Sequence, residues 1–261
     1  MKEEIIKLLK QGLIEPYYSP WAFPVVLVRK KNGKWRMCID YSKLNFVTLK
    51  NSYVISFMDE LLESVYGTKG FFALYRFADY HQIPMARKDT EKTAFITEFG
   101  NYNFVVMPFG LTNSPATFQR EMNRIFMPLI GKCLFVYLDN ILVNSPSVEQ
   151  YIIDLRKVFT ILHVSKFSAH LEKHKFFLPS VEGLGHVLSE QGIQPIPTKV
   201  FAISSLKKPT SVKQLRTFLG LVNYYWKFIP NFASISDYLN KLSSLNFPLI
   251  GRRNMQSLSI L

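Results

Sequence analysis

The sequence predicts an α+β fold, because segments with strand patterns and segments with helix patterns alternate along most of the chain. The 261 residues are 48% hydrophobic and 15% aromatic, a composition that supplies a core and excludes a mainly disordered chain. Near Pro195 the pattern changes, and prolines begin to separate helical stretches. We therefore expect a mixed body followed by a small helical lobe.

The first 50 residues predict a helix and a β-hairpin. Hydrophobic residues in segment 1–12 fall on one helical face, and Gly12 is suited to end that helix. Two apolar runs, Phe23 to Val28 and Trp35 to Tyr41, flank the pair Asn32-Gly33, which is typical of a tight hairpin turn. The tip of this hairpin is expected to be strongly positive, because four basic residues surround the turn: Arg29, Lys30, Lys31 and Lys34.

The middle of the chain predicts further strands and helices. A helical pattern covers 52–66, an aromatic-rich strand pattern covers 71–77, and two strands are expected around Gly100-Asn101. Ser114 precedes a proline and is expected to cap a helix. The next two apolar runs are separated only by Asp139-Asn140, which predicts a hairpin with these two residues in its turn.

The last part of the chain predicts one long helix, short strands and then the helical lobe. Ile152 and four later hydrophobic residues recur at helical spacing, and a segment with several glycines at 176–193 predicts short strands. Ser211 and Gln214 form a capping-box pattern at the start of a helix in the lobe.

Charge and cysteine content limit the partners and the compartment. A net charge of +13 and a pI near 9.6 indicate a polyanionic partner, either nucleic acid or an anionic membrane. The membrane is disfavoured because no apolar run approaches the ~20 residues of a spanning helix. Cys38 and Cys133 lack zinc-ligand spacing, and the N-terminus lacks a secretory signal, so we expect an intracellular (cytoplasmic or nuclear) protein.

Seven sequence blocks, taken together, indicate a protein family far more specifically than any one of them does alone. Separately, Asp139-Asn140 is an ordinary turn, Tyr80-His81 an ordinary packed aromatic pair, and the basic hairpin an ordinary solvated edge. The blocks are WRMCIDYSKLN, YHQIPM, KTAFIT, VMPFGLTNSPATFQ, VYLDN, LGHVLS and LRTFLGLVNYYWKFIPNF. In their order and spacing, from about residue 1 to about residue 242, the chain closely resembles the reverse transcriptase of gypsy-type LTR retrotransposons.

The resemblance implies a right-hand polymerase fold with fingers, palm and thumb. By it, the fingers cover 1–50 and 85–112, the palm covers 51–84 and 113–190, and the thumb and the start of the connection cover 191–261. It also implies an RNA-directed DNA polymerase, which joins deoxynucleoside triphosphates to a DNA primer on an RNA template and holds the RNA-DNA hybrid. A full Pol polyprotein also carries protease, RNase H and integrase, so we expect this chain to be a fragment of that architecture.

Catalysis in this family uses two magnesium ions held by palm aspartates, and the sequence departs from that pattern. One family aspartate lies five residues before the YHQI block, where this chain has Tyr75, and two lie in the hairpin, where it has Asp139 and Asn140. Only Asp139 is retained, since a phenol and an amide bring no negative charge at pH 7. Asp79 is no substitute, because four residues of strand place it about 13 Å from position 75.

Other family roles are carried over by the resemblance to matching residues. Lys30 and Arg36 match the fingers residues that contact the triphosphate, and Tyr80 matches the steric gate against a 2′-hydroxyl. Phe109 and Gly110 match the loop behind the nucleotide. For Tyr80, Phe109 and Gly110, ordinary core packing is the alternative.

The resemblance also assigns a primer grip and leaves one histidine pair without a role. Gly185 and His186 match the hairpin that grips the primer, although a satisfied core histidine is an equally good interpretation of His186. His170 and His174 have the spacing of a metal-binding pair, but they lie in a lysine-rich segment without a third ligand. We interpret them as solvated surface.

Three functional hypotheses remain open at the level of sequence. The first is an RNA-directed DNA polymerase domain. The second is a decayed or co-opted copy that binds nucleic acid without extending primers, and the third is an unstable truncated gene product. The lost aspartates favour the second and third, and each loss requires a single base change, as expected of drift. We expect catalysis to be impaired or absent.

Overall fold

The computed structural model describes residues 1–29, 33, 35–53, 70–74, 80–138, 140–168, 175–183 and 185–244. Within these ranges it confirms the predicted mixture of helices and strands. The strands are β1 Ile14–Pro16, β2 Phe23–Arg29, β3 Trp35–Ile39, β4 Gly70–Leu74, β5 Phe95–Thr97, β6 Gly100–Phe104, β7 Leu134–Tyr137, β8 Asn140–Ser145, β9 Lys175–Leu178, β10 Ser180–Gly183, β11 His186–Ser189 and β12 Gly192–Pro195. The helices are α1 Lys2–Lys10, α2 Ser42–Val47, α3 Arg87–Thr90, α4 Ser114–Phe126, α5 Val148–Val164, α6 Pro197–Ser204, α7 Val212–Asn223 and α8 Phe232–Ser244.

A five-stranded sheet with the order β1-β6-β5-β2-β3 forms the N-terminal part. The predicted hairpin is confirmed, because β2 and β3 pair antiparallel with Leu27 opposite Met37; residues 30–32 and 34 of its tip lie outside the described ranges. Helix α1 buries Ile5 and Leu8 against the sheet, as its periodicity predicts. It is followed by Gly12 at φ +66°, a conformation that glycine adopts without a steric penalty.

A four-stranded sheet with the order β7-β8-β4-β9 lies at the centre of the chain. Helices α4 and α5 contribute to its core, where Phe118, Met122 and Val158 are fully buried beside Leu134 and Val143. This is the largest of the described hydrophobic clusters, and it fixes the position of the β7–β8 hairpin.

A three-stranded sheet with the order β10-β11-β12 precedes the C-terminal helices. The short strands predicted for 176–193 and the helical lobe beyond them are therefore confirmed. Ser211 caps α7 by accepting a hydrogen bond from the Gln214 amide, while the Gln214 side chain accepts from the Thr210 amide and hydroxyl. Helices α7 and α8 pack through Leu215 and Leu239.

Three local predictions are wrong or incomplete. Ser114 does not cap α4: Asn113 is the cap residue, and the buried Ser114 hydroxyl donates to the Pro108 carbonyl. The hairpin turn lies one residue earlier than predicted, since Asn140 already pairs with Tyr137 as the first residue of β8. Ile152 is 49% exposed and does not share the buried face of α5, because that face follows the helical spacing of Tyr151, Asp154, Val158 and Leu162.

Of the helix predicted for 52–66, residues 54–66 lie outside the described ranges. Cys38 and Cys133 are free thiols, and Cys133 is buried in the central core. Among the helices in the described ranges, none is long and apolar enough to cross a membrane.

Candidate functional site

A wall of aromatic rings joins the central core to the N-terminal sheet. The ring of Tyr80 lies 4.8 Å from that of Phe109 and 5.4 Å from that of Phe118, measured between centroids. On the other side, the guanidinium carbon of Arg36 lies 5.3 Å from the centre of the Phe109 ring. Three residues predicted to line one pocket are thus adjacent: a cation from β3, and two aromatic rings from separate segments.

The loop that carries Phe109 is joined to the segment after β3 by two asparagine side chains, one from each segment. The Asn45 side chain donates to the Gly110 carbonyl at 2.8 Å and accepts from the Thr112 amide at 2.8 Å. Asn113 similarly donates to the Leu49 carbonyl at 2.8 Å and accepts from the amide of Asn51 at 2.9 Å. These four bonds tie the loop to the segment after β3, so the backbone behind Phe109 is rigidly placed.

Gly110 is the position in this loop where a side chain is disfavoured. Its φ is +96°, and a Cβ built there would lie 3.4 Å from Cδ2 of Tyr41 and 3.5 Å from the Ile39 carbonyl oxygen. Tyr41 is itself buried, and its hydroxyl donates to the Thr93 carbonyl at 2.9 Å. Burial raises the pKa of the Tyr41 phenol, so this side chain stays neutral and serves as a fixed packing surface.

A cleft of about 950 Å³ opens beside this wall, between α1, β3 and the 108–110 loop. Polar and apolar groups both line it. Its basic side chains are Lys7 and Arg36, and Lys7 lies 3.8 Å from Glu4, which partly offsets its charge. Residues that contribute to the lining are Lys7, Trp35, Arg36, His81, Phe109 and Gly110.

The β7–β8 hairpin presents the predicted catalytic segment. Tyr137 and Asn140 face each other across the ladder, so the turn consists of two residues, and its first residue, Leu138, has φ +52°. Asp139 and Tyr75 lie outside the described residues, and Asn140 alone of the three catalytic positions is described. Within the described part of the chain, no three His, Cys, Asp or Glu side chains cluster in a way that suits a metal ion.

A second aromatic cluster joins β11 to the C-terminal helices. His186 is buried and stacks on Tyr224 at 5.2 Å, with Tyr225 at 5.6 Å edge-on and Phe228 at 5.6 Å. The Tyr225 hydroxyl donates to the Gly185 carbonyl at 3.2 Å. Burial raises the pKa of Tyr224, and the neighbouring phenols raise it further, among them Tyr137 of the hairpin. The cluster therefore connects β11 and the residue before it with the C-terminal lobe.

A family model for reverse transcriptase (RNA-dependent DNA polymerase) matches residues 28–222. The chain belongs to the reverse transcriptase family. The Retrovirus-related Pol polyprotein from transposon 297 of Drosophila melanogaster is 41% identical over 241 residues, which cover 90% of this chain and 23% of that protein. The corresponding polyprotein from transposon gypsy of the same organism is 36% identical over 242 residues, which also cover 90% of this chain and 23% of that protein. The chain thus spans about a quarter of the length of these relatives.

Solved reverse transcriptases have the same fold. A foamy viral protease-reverse transcriptase in complex with double-stranded DNA has a TM-score of 0.86 and 25% identity, over 99% of this chain and 46% of that chain. The foamy viral protease-reverse transcriptase in complex with an RNA/DNA hybrid has a TM-score of 0.77 and 26% identity, over 93% of this chain and 33% of that chain. These similarities confirm the predicted right-hand polymerase fold and the gypsy-type retrotransposon family.

The predicted site residues fall into separate groups in this reverse transcriptase fold. Arg36, Tyr80, Phe109 and Gly110 come together in the aromatic wall and its loop, whereas Gly185 and His186 pack against the C-terminal lobe. Lys30 lies outside the described residues, as do Asp79, His170 and His174. Their predicted roles stay predictions.

Sequence reasoning missed three polar residues that hold this site together. Asn45 and Asn113 fix the Phe109 loop, and Gln119, fully buried on α4, bonds to the hairpin. All three lie in the sequence blocks that carry the family resemblance, which was the available signal. Their individual roles depend on partners far away in the sequence, so no local pattern reveals them.

Gly185→Ala is expected to lower the free energy of unfolding by about 2 kcal/mol. Gly185 has φ +76°, and an added Cβ would lie 2.6 Å from the Tyr224 hydroxyl and 3.0 Å from its ring, so backbone strain and a steric clash add. Urea unfolding measures the loss. Gly192→Ala is the matched control, because Gly192 has φ +98° in the same small sheet but open space around it, and we expect a loss of about 1 kcal/mol. Equal losses in the two variants would contradict the clash.

Proposed function

We propose that this chain is the polymerase domain of a retroelement Pol protein that keeps a nucleotide pocket and a nucleic-acid cleft but has lost most of its catalytic power. The observation that carries the proposal is the place of Asn140, a neutral amide at the first position of β8, next to the turn that contains Asp139. The family pattern has an aspartate at that position. Its second departure, Tyr75, lies in the segment that follows β4 directly.

The residues at these positions do not fit the two magnesium ions that the family uses. Magnesium prefers charged, hard oxygen ligands in octahedral geometry, and negative protein charge must hold it beside an anionic triphosphate. Asp139, Asn140 and Tyr75 together supply one negative charge instead of three. The loss of two charges weakens both the affinity for the ions and the stabilisation of the phosphoryl-transfer transition state.

The nucleotide pocket is proposed to consist of the aromatic wall and its cation. Arg36, held over the ring of Phe109, is placed to contact the triphosphate together with Lys30. Tyr80, packed between Phe109 and Phe118, is placed to act as the steric gate against a 2′-hydroxyl, with Gly110 behind the base. The rigid loop contacts support this assignment, because a gate that discriminates one oxygen atom must be fixed in position.

The sheets support the proposed division into fingers, palm and thumb. The five-stranded sheet is built from segments of 1–50 and 85–112, the proposed fingers. The four-stranded sheet with α4 and α5 belongs to the proposed palm, which covers 51–84 and 113–190, and the helices beyond residue 191 form the proposed thumb. Gly185 and His186, at the contact between β11 and the thumb, are proposed to grip the primer.

Nucleic acid is the proposed partner, as an RNA template, a DNA primer and their hybrid. The net charge of +13 supports this proposal, as do the foamy viral relatives that were solved with double-stranded DNA and with an RNA/DNA hybrid. Deoxynucleoside triphosphates are the proposed small-molecule ligands. The free cysteines and the nucleic-acid partners favour an intracellular location, cytoplasmic or nuclear.

Primer extension by the purified chain is expected to be at least about 10³-fold below that of a gypsy-type domain with all three aspartates. The reason is the loss of several kcal/mol of transition-state stabilisation, at 1.36 kcal/mol for each factor of ten. The measurement is extension of a DNA primer on an RNA template with Mg²⁺ or Mn²⁺, resolved on a denaturing gel. Robust extension would contradict the assignment of position 75 or 140.

Binding and unfolding measurements separate the remaining hypotheses. A folded domain that binds the primed template but does not extend it is either an impaired polymerase or a co-opted binding protein. Recovery of extension after the aspartates are restored would indicate an impaired polymerase. An unstable gene product would show no cooperative unfolding transition. The continuous central core, with Phe118, Phe126 and Leu134 fully buried, favours a folded domain.

A further inference from the structure

Gln119 of α4 is a fully buried polar side chain whose hydrogen bonds reach the end of β7 and the first residue of the hairpin turn. Its Oε1 accepts from the Leu138 amide at 2.6 Å, and its Nε2 donates to the Val136 carbonyl at 3.0 Å. Nε2 also donates to Oδ1 of Asn123 at 2.9 Å. One carboxamide thus bonds to the last residues before Asp139 through one donor and one acceptor.

These bonds fix the orientation of the Gln119 amide. A backbone N–H can only donate and a backbone carbonyl can only accept, so Oε1 must face Leu138 and Nε2 must face Val136. Asn123 is held in turn, because its Nδ2 donates to the Tyr53 hydroxyl at 2.9 Å. The contact is therefore an ordered network and not a rotatable surface amide.

The bond to Leu138 occurs where the backbone is strained. Leu138 has φ +52°, in the left-handed region that leucine adopts only at a cost. In a two-residue hairpin turn, the amide of the first turn residue has no partner in the ladder, since the flanking residues bond to each other. Gln119 supplies that partner, and its bond is lost if the turn relaxes to another conformation.

We propose that Gln119 is a positioning residue that holds Leu138, the first residue of the β7–β8 turn, in its strained conformation, directly before the retained carboxylate residue Asp139 in the sequence. It does not act on a substrate. The proposal concerns the shape of the turn in the chain as it exists, so it is independent of whether the chain extends primers, and its test can fail while the proposed function stands.

Selective labelling makes the Leu138 amide visible almost alone. With ¹³C-carbonyl tyrosine and ¹⁵N leucine, only leucines that directly follow a tyrosine give a signal, and in this sequence these are Leu138 and Leu239. Leu239 is buried in α8, where it packs against Leu215 of α7, and serves as an internal reference. Exchange of both amides with D₂O is then followed by NMR on the full chain.

In Gln119→Met, exchange of the Leu138 amide is expected to accelerate roughly 10- to 100-fold, because a buried donor loses its acceptor while side-chain length is kept. The Leu239 amide is expected to be unchanged. Gln119→Glu retains an oxygen that accepts from Leu138, so protection is expected to recover at least in part. Met122→Leu, a buried neighbour on α4 without a bond to the turn, is the control and is expected to leave both amides unchanged.

Two results would overturn the proposal. If exchange of the Leu138 and Leu239 amides accelerates to the same extent in Gln119→Met, the Gln119 side chain stabilises the whole fold and not the turn in particular. If the Leu138 amide of the unaltered chain exchanges as fast as an unstructured amide, the hydrogen bond does not hold the turn. This second measurement needs no variant, so the proposal stays testable even if Gln119→Met does not fold.

Discussion

Tyr75→Asp combined with Asn140→Asp is expected to restore primer extension that is undetectable in the unaltered chain. The double change returns two negative charges to the positions where the resemblance places aspartates, in addition to the retained Asp139. If the pocket of Arg36, Tyr80 and Phe109 is intact, the charges are the missing component, and a gain of several factors of ten is expected.

The two changes are expected to be strongly non-additive. Residues that act on one pair of metal ions work as a unit, so Tyr75→Asp alone and Asn140→Asp alone are each expected to give no detectable extension. The measurement is the initial rate of extension on an RNA template for the four members of the double-mutant cycle. If one single variant matched the double variant, the paired-charge explanation would be wrong.

Two further variants make this test specific. Adding Asp79→Gly is expected to raise the rate again, because the resemblance places a glycine beside the steric gate and a carboxylate there repels the triphosphate. Adding Asp139→Asn is expected to abolish the restored activity. If the triple variant with Tyr75→Asp, Asn140→Asp and Asp79→Gly folds and remains inactive, a defect confined to these positions is refuted. Val54 and Ser56, where the resemblance implies prolines, are then the next positions to change.

Binding of the unaltered chain to a primed RNA template is expected to weaken steeply with salt. Each phosphate contacted by Lys or Arg releases condensed counterions, so 6 to 10 contacts cost roughly 10³- to 10⁵-fold in affinity between about 50 and 200 mM salt. The excess of 13 positive charges supports a number of contacts in this range. RNA, DNA and the hybrid are expected to bind with little sequence preference.

The basic hairpin is expected to contribute a defined share of this salt dependence. Lys30→Ala with Lys31→Ala is expected to reduce the slope of log affinity against log salt by roughly two, about one for each lysine that no longer neutralises a phosphate. Fluorescence anisotropy with a labelled template-primer measures the slope. His170→Ala is the control and is expected to leave it unchanged. A slope near zero in the unaltered chain would refute electrostatic binding in the cleft.

Much of the fold is encoded in local patterns and was therefore predictable. Helix α1 and the β2–β3 hairpin follow from hydrophobic periodicity, and the end of α1 from Gly12, because these features act within a few residues. The local errors have a physical cause. Ser114 is drawn away from capping by a carbonyl six residues earlier, and the hairpin register is set by pairing of Tyr137 with Asn140, not by turn preference.

By itself the sequence determined the α+β class, the order of most elements, the family, and the prediction that positions 75 and 140 lack their aspartates. The tertiary structure alone decided which polar side chains hold the site. Asn45 reaches Gly110 across 65 positions of sequence, and Gln119 reaches Leu138 across 19. Such bonds join a side chain to the backbone of a distant segment. They therefore produce no periodic pattern in the sequence, and they form only when the chain folds.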